Sequence, residues 1–592
     1  MELNGSELNA VELNGASAGR SAPVDPVIIV PVVSVIWTAR LLLNGVDVSD
    51  LLAGAARIER DEGADALADF SLLLDAGPVN PASYTGQSVE LYYRDWVGGA
   101  WREELCFKGW IIRPQFTLQT SVLACECSDR RQEIVEAMDI VAIDALTGGS
   151  WSADVFEPVD GRSRWDYAME RMSTRAASLQ CSVEGELQVT PWASRPATFV
   201  IPAGMVLDGS LEWVPVELND RINVVEVAAD YRFIRLRERH QDFLWEHPAV
   251  EGVTIIDGFC LTWGREDNTE VPDIVMVESA SSSAGYQAVL ATANWERVPA
   301  TGSGSLCDPP FGWRNDFPDL LLRATWTSAM RWSQRVTEQY TLRVEAPASI
   351  AQAGEVISRE RIALETESDR EAEFEGTEFT EPDTDATEDA LGDWVVDVRE
   401  DDRRAAALSC GLAMATATIL GGHRGNRFSF QLPTSDTLGI RLEHTLHVQD
   451  EILGRSVQCR AKVFSIIHEW DFDSGSALTS IQLAVSQGGG AITDPLTLPA
   501  IPPSTPPGTP SALIILGTQL GSRNSSPIYD DELDGFAGNY TVNDLDINPE
   551  LEEFPRRFDL TAPEIPEDHR DEYAATQAHT YQLAIPNDLL EL

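Results

Sequence analysis

Most of the chain alternates apolar and polar residues with a period of two, the pattern of half-buried β-strands. The stretch ELCFKGWIIRPQFTLQTSVLACECSD, residues 104–129, reads as a strand with an Ile-Ile pair, a polar turn and a second strand. The stretch VQCRAKVFSIIHEWDFDSGSALTSIQLAVS, residues 457–486, repeats that order. Each copy follows another alternating strand, VELYYRD or HTLHVQD. The repetition predicts two copies of one antiparallel β-domain.

The first β-domain is predicted over residues 26–145, after a flexible polar arm formed by residues 1–25. Its alternating strands are separated by turn residues such as Asn44-Gly45, and RRQEIVEAM predicts a short helix near its end. This composition favours a small antiparallel barrel or sandwich. The run VIIVPVVSVIW is too short to cross a bilayer and is broken by Pro31, so we read it as a buried strand.

The hydrophobic period changes in residues 146–212, for which we predict a small α/β domain. The segment SRWDYAMERMSTRAASL has the period of an amphipathic helix, and Ser163 with Asp166 forms a capping pair at its start. The segment CSVEGELQVTPW then predicts a hairpin that turns at Glu184-Gly185.

The second β-domain is predicted over residues 213–490. It contains a β-rich, Trp-rich insertion at about 240–345, an acidic loop at 365–393 and the Ala-rich helix DDRRAAALSCGLAMATATILGG. The acidic loop has the composition of an exposed segment. A calcium site is the alternative there, but the loop lacks the glycine and the ligand spacing of a calcium loop.

Residues 491–592 differ in composition from the rest of the chain. They begin with the Pro-rich spacer LPAIPPSTPPGTP and continue as an acidic segment of low periodicity with scattered aromatic residues. This composition predicts an extended tail that docks its aromatic side chains on a partner.

The charge balance excludes several classes of function. The chain has 43 basic and 95 acidic residues, which gives a formal net charge of −52. Such a surface repels phosphate groups and anionic lipids, so we expect neither tight DNA binding nor stable membrane insertion. Only Lys108 and Lys462 are lysines, one in each copy of the hairpin. Coincidence is one interpretation, and the use of arginine for forked interface pairs is the other.

Motifs of catalysis and metal binding are missing from the sequence. It has no nucleophile elbow, P-loop, dinucleotide fingerprint or zinc-protease motif, and its eight cysteines show no zinc spacing. Cys125 and Cys127 alternate within a strand and are expected to be buried free thiols. We therefore predict a non-enzymatic protein without catalytic residues, cofactor or metal.

Two other functional classes stay open in the insertion. A cell-wall hydrolase would need a Cys–His or a paired-carboxylate site in the insertion. Cys260 and Cys307 lie there with His240 and His247, although no known spacing links them. A glycan-binding module is suggested by tryptophans, which stack on sugar rings but are more often core residues. These are Trp245, Trp263, Trp295, Trp313, Trp326 and Trp332.

The chain resembles the baseplate hub, or tail-tip, proteins of long-tailed bacteriophages over roughly residues 30–490. The matching features are the strand–LNGVDVSDLL–strand opening, ADFSLLLD, GQSVELYYRD, the SRWDYAMERM helix, GELQVTPW, DRINVVEVAADY, the His423-Arg424 helix end, FSFQLP and the strand around Ile466-Ile467. The resemblance implies a mainly β fold with α+β parts. Two tail-tube-like antiparallel β-domains would carry the α/β insert, the insertion and the extended C-terminal tail.

The resemblance also implies a place and partners. It implies a homotrimer whose pseudo-hexameric ring closes the tail tube at the distal end of the virion tail, after assembly in the host cytoplasm. The expected neighbours are the distal tail ring, tip and fibre proteins and the tape-measure protein, and genomic DNA passes through the lumen without specific binding. We predict interface residues in the hairpins and the tail, namely Trp110, Ile112, Phe464, Ile466, Tyr529, Phe536, Tyr540 and Phe554.

Overall fold

The computed structural model describes most of the chain from residue 25 onward. The described residues are 25–32, 36–75, 77–149, 163–247, 254, 271–299, 317–365, 386–503, 505–506, 508–519, 530–537 and 557–592. The predicted arm, residues 1–25, lies almost wholly outside them. Strands predominate, so the mainly β fold class is confirmed. The described part contains five clusters of buried apolar side chains, as a chain of this length requires.

The first β-domain is a six-stranded antiparallel arrangement in the order β4-β5-β8-β7-β6-β2. Its core includes Leu41, Ile58, Phe70, Leu91 and Phe107. The strands in this region are β1 (Val27–Ile28), β2 (Trp37–Leu43), β3 (Val46–Asp47), β4 (Leu52–Asp61), β5 (Leu67–Leu73), β6 (Ser88–Val97), β7 (Ala100–Thr117) and β8 (Val122–Ser128). Two helices follow, α1 (Arg131–Glu136) and α2 (Ile140–Thr147).

The predicted buried strand at residues 27–37 is only partly realised. Strand β1 has two residues, of which Val27 and Ile28 are exposed, while Ile29 after it is 8% exposed. The cause is the position of β1 at the end of a sheet, where it pairs on one side with a later strand.

The α/β unit contains α3 (Arg164–Ser173) and the antiparallel hairpin β9 (Ala177–Cys181) and β10 (Leu187–Pro191). Ser163 caps α3 by accepting a hydrogen bond from Asp166 N at 3.2 Å, and Gly185 has φ +84° in the hairpin turn. The predicted helix was too long at its C-terminal end, because Ala177 and Leu179 belong to β9. Strands β11 (Phe199–Ile201) and β12 (Glu212–Val214) lead into the second β-domain.

The middle of the chain forms a long two-stranded ribbon with a helix packed on it. The elements are β13 (Val224–Glu246), α4 (Ile274–Ser283), β14 (Gln287–Ala288), β15 (Asn294–Arg297), β16 (Leu321–Glu345), α5 (Pro347–Ala353), β17 (Ile357–Glu365), β18 (Thr387–Glu388), β19 (Trp394–Val398) and α6 (Asp401–His423). Strands β13 and β16 pair from Val224↔Glu345 to Glu246↔Arg323. The predicted insertion boundary at 240 therefore cuts through β13, whereas the one at 345 coincides with the end of β16.

Helix α6 is long and apolar enough to cross a membrane by length and composition. Its apolar side chains, including Leu412 and Ile419, are buried in one cluster with Val227 and Tyr340 of the ribbon. It serves here as the core helix of the ribbon. The helix continues through Gly421-Gly422 to His423, past the predicted stop, because His423 is buried and bonded to Ser349 of α5.

The second β-domain contains β20 (Asn426–Pro433), β21 (Thr445–Ile452), β22 (Arg455–Asp471) and β23 (Ser476–Val485). Short 3₁₀ turns in the chain lie at Ser49–Leu51, Pro81–Tyr84, Leu218–Asp220 and Thr434–Asp436. The C-terminal half of β22 also pairs antiparallel with β4, from Ser465↔Asp61 to Asp471↔Ala55. Both β-domains thus belong to one 15-stranded sheet.

The described part of residues 491–592 packs on its own chain, in place of the extended docking tail that we expected. It contains β24 (Ile514–Gln519), β25 (Gly535–Ala537), β26 (Arg557–Asp559), α7 (Glu567–Arg570), β27 (Glu572–Gln582) and β28 (Leu589–Glu591). Strand β27 runs parallel to β16, and β28 pairs with β22. The physical reason is burial, because Tyr581, Leu583 and Ile585 complete the cluster under α6.

Candidate functional site

The two β-domains share one strand order. In the first, β5 is followed by a 3₁₀ turn and the meander β6-β7-β8, and β5 pairs antiparallel with β8. In the second, β20 is followed by a 3₁₀ turn and the meander β21-β22-β23, and β20 pairs antiparallel with β23. A further antiparallel strand lies outside each, β4 beside β5 and β12 beside β20. The repeated hairpin read from the sequence is therefore a repeated fold.

The long central strands bend in the same way. In β7, Trp110 pairs with Ser88 of β6 and with Ser128 of β8, and a β-bulge at Ile112 follows. In β22, Lys462 pairs with both neighbouring strands, and a bulge at Phe464 follows. Each strand thus changes partner at one residue and bulges two residues later. Bulges of this kind bend a sheet and turn its side chains.

The structure places the four predicted hairpin residues in different surroundings. Ile112 is 47% exposed at its bulge. Trp110 and Phe464 are half-buried under guanidinium groups, Arg130 over Trp110 and Arg427 over Phe464 at 3.7 Å from the ring centroid. Ile466 is 3% exposed and lies in the core of the second β-domain. Matching the two Ile-Ile pairs of the sequence aligned Ile112 with Ile467, whereas the bulges make Ile112 equivalent to Phe464.

The predicted tail residues divide in the same manner. Phe536 is 1% exposed and packs against Trp245 and Phe558 within the insertion core. It is therefore a core residue of this protomer and cannot meet a partner in this conformation. Tyr529, Tyr540 and Phe554 lie outside the described residues.

The hairpin tips carry exposed apolar side chains in both β-domains. Trp96 and Trp101 flank the Gly98-Gly99 turn between β6 and β7, and they contact each other edge to face at 5.5 Å between centroids. Leu453 is 98% exposed in the equivalent turn between β21 and β22. Its φ of +54° is unfavourable for a leucine. Both turns have two residues with positive φ, as tight hairpins require.

A buried ion-pair network joins the three units around Lys462. Its ammonium group donates to Glu62 of the first β-domain and, at 3.1 Å, to Thr190 of the α/β unit. Glu62 also binds Arg424 with Nη1 to Oε2 at 2.9 Å. Burial lowers the pKa of Lys462, and the Glu62 carboxylate opposes that effect. Lys462 thus connects the two β-domains and the α/β unit within one chain.

A second buried network lies on the ribbon, and the sequence reasoning missed it. Arg237 Nη1 lies 2.6 Å from Asp389, and Arg239 donates twice to Asp393 at 2.8 and 3.0 Å. Asp389, Asp393 and His569 place ligand atoms within 4.8 Å of one another, a spacing that could hold a metal ion. The guanidinium groups of Arg237 and Arg239 already neutralise these two carboxylates, so the cluster is a buried ion-pair network. The available signal was the alternation of arginines in FIRLRERHQ.

This network also revises the acidic loop at 365–393. Residues 366–385 lie outside the described part. At the loop's end, the side chains of Asp389 and Asp393 are each 1% exposed and bind arginine. The described end is therefore structural, where the composition had indicated an exposed segment.

The two alternative functions gain little from the described residues. His240 binds Glu238 at 2.6 Å, and His247 is 1% exposed, while Cys260 and Cys307 lie outside the described residues. For glycan stacking, Trp245 and Trp326 are buried at 0% and 2% exposure, so both are core residues. Trp295 and Trp332 are half-buried, and Trp263 and Trp313 lie outside the described part.

The described cysteines are free and buried, as expected for Cys125 and Cys127. Burial raises the pKa of Cys125 to about 12 and raises that of Cys127 further. A thiol with such a pKa is not a nucleophile at neutral pH.

Comparison with known proteins gives structural neighbours only. No protein-family model matches the chain, and no curated protein sequence matches it. A tail protein from Neisseria meningitidis MC58 aligns with a TM-score of 0.36 at 9% identity, over 76% of this chain and 96% of that one. The 43 kDa tail protein of prophage MuSo2 from Shewanella oneidensis gives 0.33 at 10% identity, over 76% and 98%. An E. coli component of the type VI secretion system gives 0.26 at 7% identity, over 78% and 80%.

The first two of these neighbours are tail proteins, one of them from a prophage. Because their TM-scores lie below 0.5, the functional proposal rests on the geometry of this chain.

Proposed function

We propose that this chain is a structural hub of a bacteriophage tail. Three copies form a ring that closes the distal end of the tail tube and holds tip and fibre proteins. The observation that carries the proposal is the duplicated β-domain, with one strand order and one bulge position in both copies. Two such domains in each of three chains give six similar units around one axis, which matches a hexameric tube to a three-fold tip.

The bulges mark the proposed ring contacts. Ile112 is exposed and Phe464 half-exposed at equivalent positions of the two β-domains. In a pseudo-hexameric ring the two β-domains alternate around the axis. The bulge position, Ile112 in one domain and Phe464 in the other, then makes a similar contact at each of the six domain boundaries. The hairpin tips, with Trp96, Trp101 and Leu453, also recur six times and supply contacts to the adjacent tail ring.

The charge supports a channel for genomic DNA. Affinity for DNA comes from Lys and Arg contacts to phosphate. The chain has a net charge of −52, and its lysines number two. Lys462 is buried in the joint and Lys108 lies 3.9 Å from Glu90. An acidic wall lets the polyanion pass without binding it.

The oligomeric state tests the proposal directly. Light scattering on the purified full chain should give a mass of three times 64.9 kDa, and end-on electron-microscopy views should show six similar lobes. Ile112→Asp should shift the trimer to monomer, because a charge replaces an apolar contact at the ring interface. Val275→Asp is the matched control, since Val275 is also exposed, at 65%, but lies on helix α4 of the insertion. A wild-type protein that stays monomeric at high concentration would contradict the proposal.

A further inference from the structure

A partly open cavity lies where the first β-domain, the α/β unit and the second β-domain meet. Its volume is about 100 Å³, which is enough for several water molecules. Each unit contributes polar side chains to the wall, and the buried residues Val183, Ile440 and Leu442 close it. The cavity is separate from the ring contacts and the hairpin tips.

Arg60 is the unusual member of the wall. It occupies a core-facing position of β4, two residues after the buried Ile58, and is 7% exposed. Its Nη2 donates to the carbonyl oxygen of Cys181 at 2.6 Å. Among the described residues no carboxylate lies within ion-pair distance of it, although the charges of Asp129 and Glu443 act on it at longer range. Burial accordingly lowers the pKa of Arg60 from its ordinary value.

Gln180 faces the same cavity and is 1% exposed. Neither its Oε1 nor its Nε2 has a hydrogen-bond partner among the residues that the structure describes. Buried amides are almost always satisfied, so both atoms are available to a bound group. Arg441 adds a second guanidinium group, which binds Glu104 through Nη2 and the carbonyl oxygen of Ile440 through Nη1 at 3.2 Å.

We propose that this cavity binds a small tetrahedral oxyanion, inorganic phosphate or sulfate, through Arg60, Gln180 and Arg441. The oxyanion places a negative charge within hydrogen-bond distance of Arg60, which Asp129 and Glu443 offset only at longer range, and it accepts the Gln180 N–H. Because the wall comes from three units, the bound anion fastens them together.

The competing occupant of the positive site is the carboxylate of Glu184. Glu184 and Glu443 are exposed residues that also line the cavity. Burial raises the pKa of Glu184, but hydrogen bonds from its own backbone and from Ser182, with smaller effects from Arg441 and Arg60, lower it overall. Water weakens the attraction between Arg60 and the exposed carboxylates of Glu184 and Glu443. An anion bound inside the cavity would attract the buried Arg60 more strongly, because the dielectric constant there is low.

Thermal unfolding of the full chain tests the site. Phosphate or sulfate replaces chloride at constant ionic strength, because a chain with this net charge is stabilised by any salt. We expect a saturable rise in melting temperature with either anion. Arg60→Gln should weaken binding at least tenfold. Arg57→Gln is the matched control on the same strand, since Arg57 is exposed and paired with Glu59 and Glu469, and its phosphate response should be unchanged.

Two further variants keep the test decisive if Arg60→Gln fails to fold. Gln180→Glu places a carboxylate in the cavity, so it should raise the melting temperature and abolish the phosphate response. Glu184→Gln should leave phosphate binding intact or strengthen it. The proposal is overturned if the wild type shows no saturable response, which means that the cavity holds only water. It is also overturned if Gln180→Glu lowers stability, or if Glu184→Gln removes the response.

Discussion

At the residue scale, charged and polar side chains occupy positions that alternation assigns to the core. On β22 the sequence Ile466, His468, Trp470 places a histidine between two core residues. On β4, Arg60 follows Ala56 and Ile58 on the same face. These exceptions lie where the two β-domains meet. A polar residue at an apolar position of the alternating pattern therefore indicated the contact between the two β-domains. The pattern did not indicate which residue lies opposite it.

His468 gives a pH prediction. Burial, followed by the charges of Arg60 and Arg441, lowers its pKa to about 3 from 6.5, and its Nδ1 lies 2.8 Å from Thr479 Oγ1. A lowered pKa means that protons favour the unfolded chain, so stability is full above pH 6.5 and falls as the pH drops toward 3. Between pH 7 and pH 5 this single histidine should cost about 2 kcal/mol of unfolding free energy.

The measurement is denaturant unfolding at both pH values. In His468→Gln the loss between pH 7 and pH 5 should be smaller than in the wild type by that amount. His579→Gln is the control, because His579 is exposed and should leave the pH dependence unchanged. An identical pH dependence in the wild type and His468→Gln would show that His468 is not buried neutral.

At the scale of elements, the long bent strands and the C-terminal strand organise the molecule. Strand β7 pairs along its first part with β6 and along its second part with β8. Strand β22 pairs in the same way with β21 and then with β23. Strand β27 covers the edge of β16 from Arg335 to Glu345. Free edges invite aggregation, and covering them is a usual solution. The C-terminal segment is therefore a structural cover of the ribbon.

Tyr581 tests this role of β27. Its side chain is 1% exposed in the ribbon core, and its hydroxyl donates to Thr497 O at 2.7 Å. Tyr581→Ala should lower the unfolding free energy by about 3–5 kcal/mol, the usual cost of removing a buried aromatic ring. Tyr573→Ala, on the same strand and half-exposed, should cost much less. Equal losses in the two variants would mean that β27 does not dock as described.

At the scale of the whole molecule, charge and duplication act together. A net charge of −52 makes three copies repel one another. The proposed ring would therefore be held by apolar and main-chain contacts, with salt weakening the repulsion. In the proposed channel the same charge would keep DNA from adhering to the wall.

Salt dependence tests this balance. Raising NaCl from about 0.01 M to about 1 M shortens the screening length from about 30 Å to about 3 Å. Sedimentation velocity should then show more trimer at high salt, and duplex DNA should not bind even at low salt. Dissociation by salt would instead show that ion pairs hold the ring, and DNA binding would contradict the channel.

The sequence alone determined the mainly β class, the repeated hairpin, the capped helix α3 and the buried free thiols. These follow from local periodicity and turn chemistry, which the chain carries in short windows. The repeated stretch of sequence predicted only the three-strand meander of each domain. The strand that pairs with the end of the meander, β5 in the first domain and β20 in the second, lies outside that stretch.

Tertiary structure decided which distant segments meet. It paired β4 with β22, buried Phe536 and Ile466, and brought Asp389 and Asp393 to the ribbon arginines. Composition alone made residues 491–592 look like a tail, because their apolar residues are sparse. Those few residues are buried by a core formed far upstream, and burial against a distant surface cannot be read from the segment that supplies it.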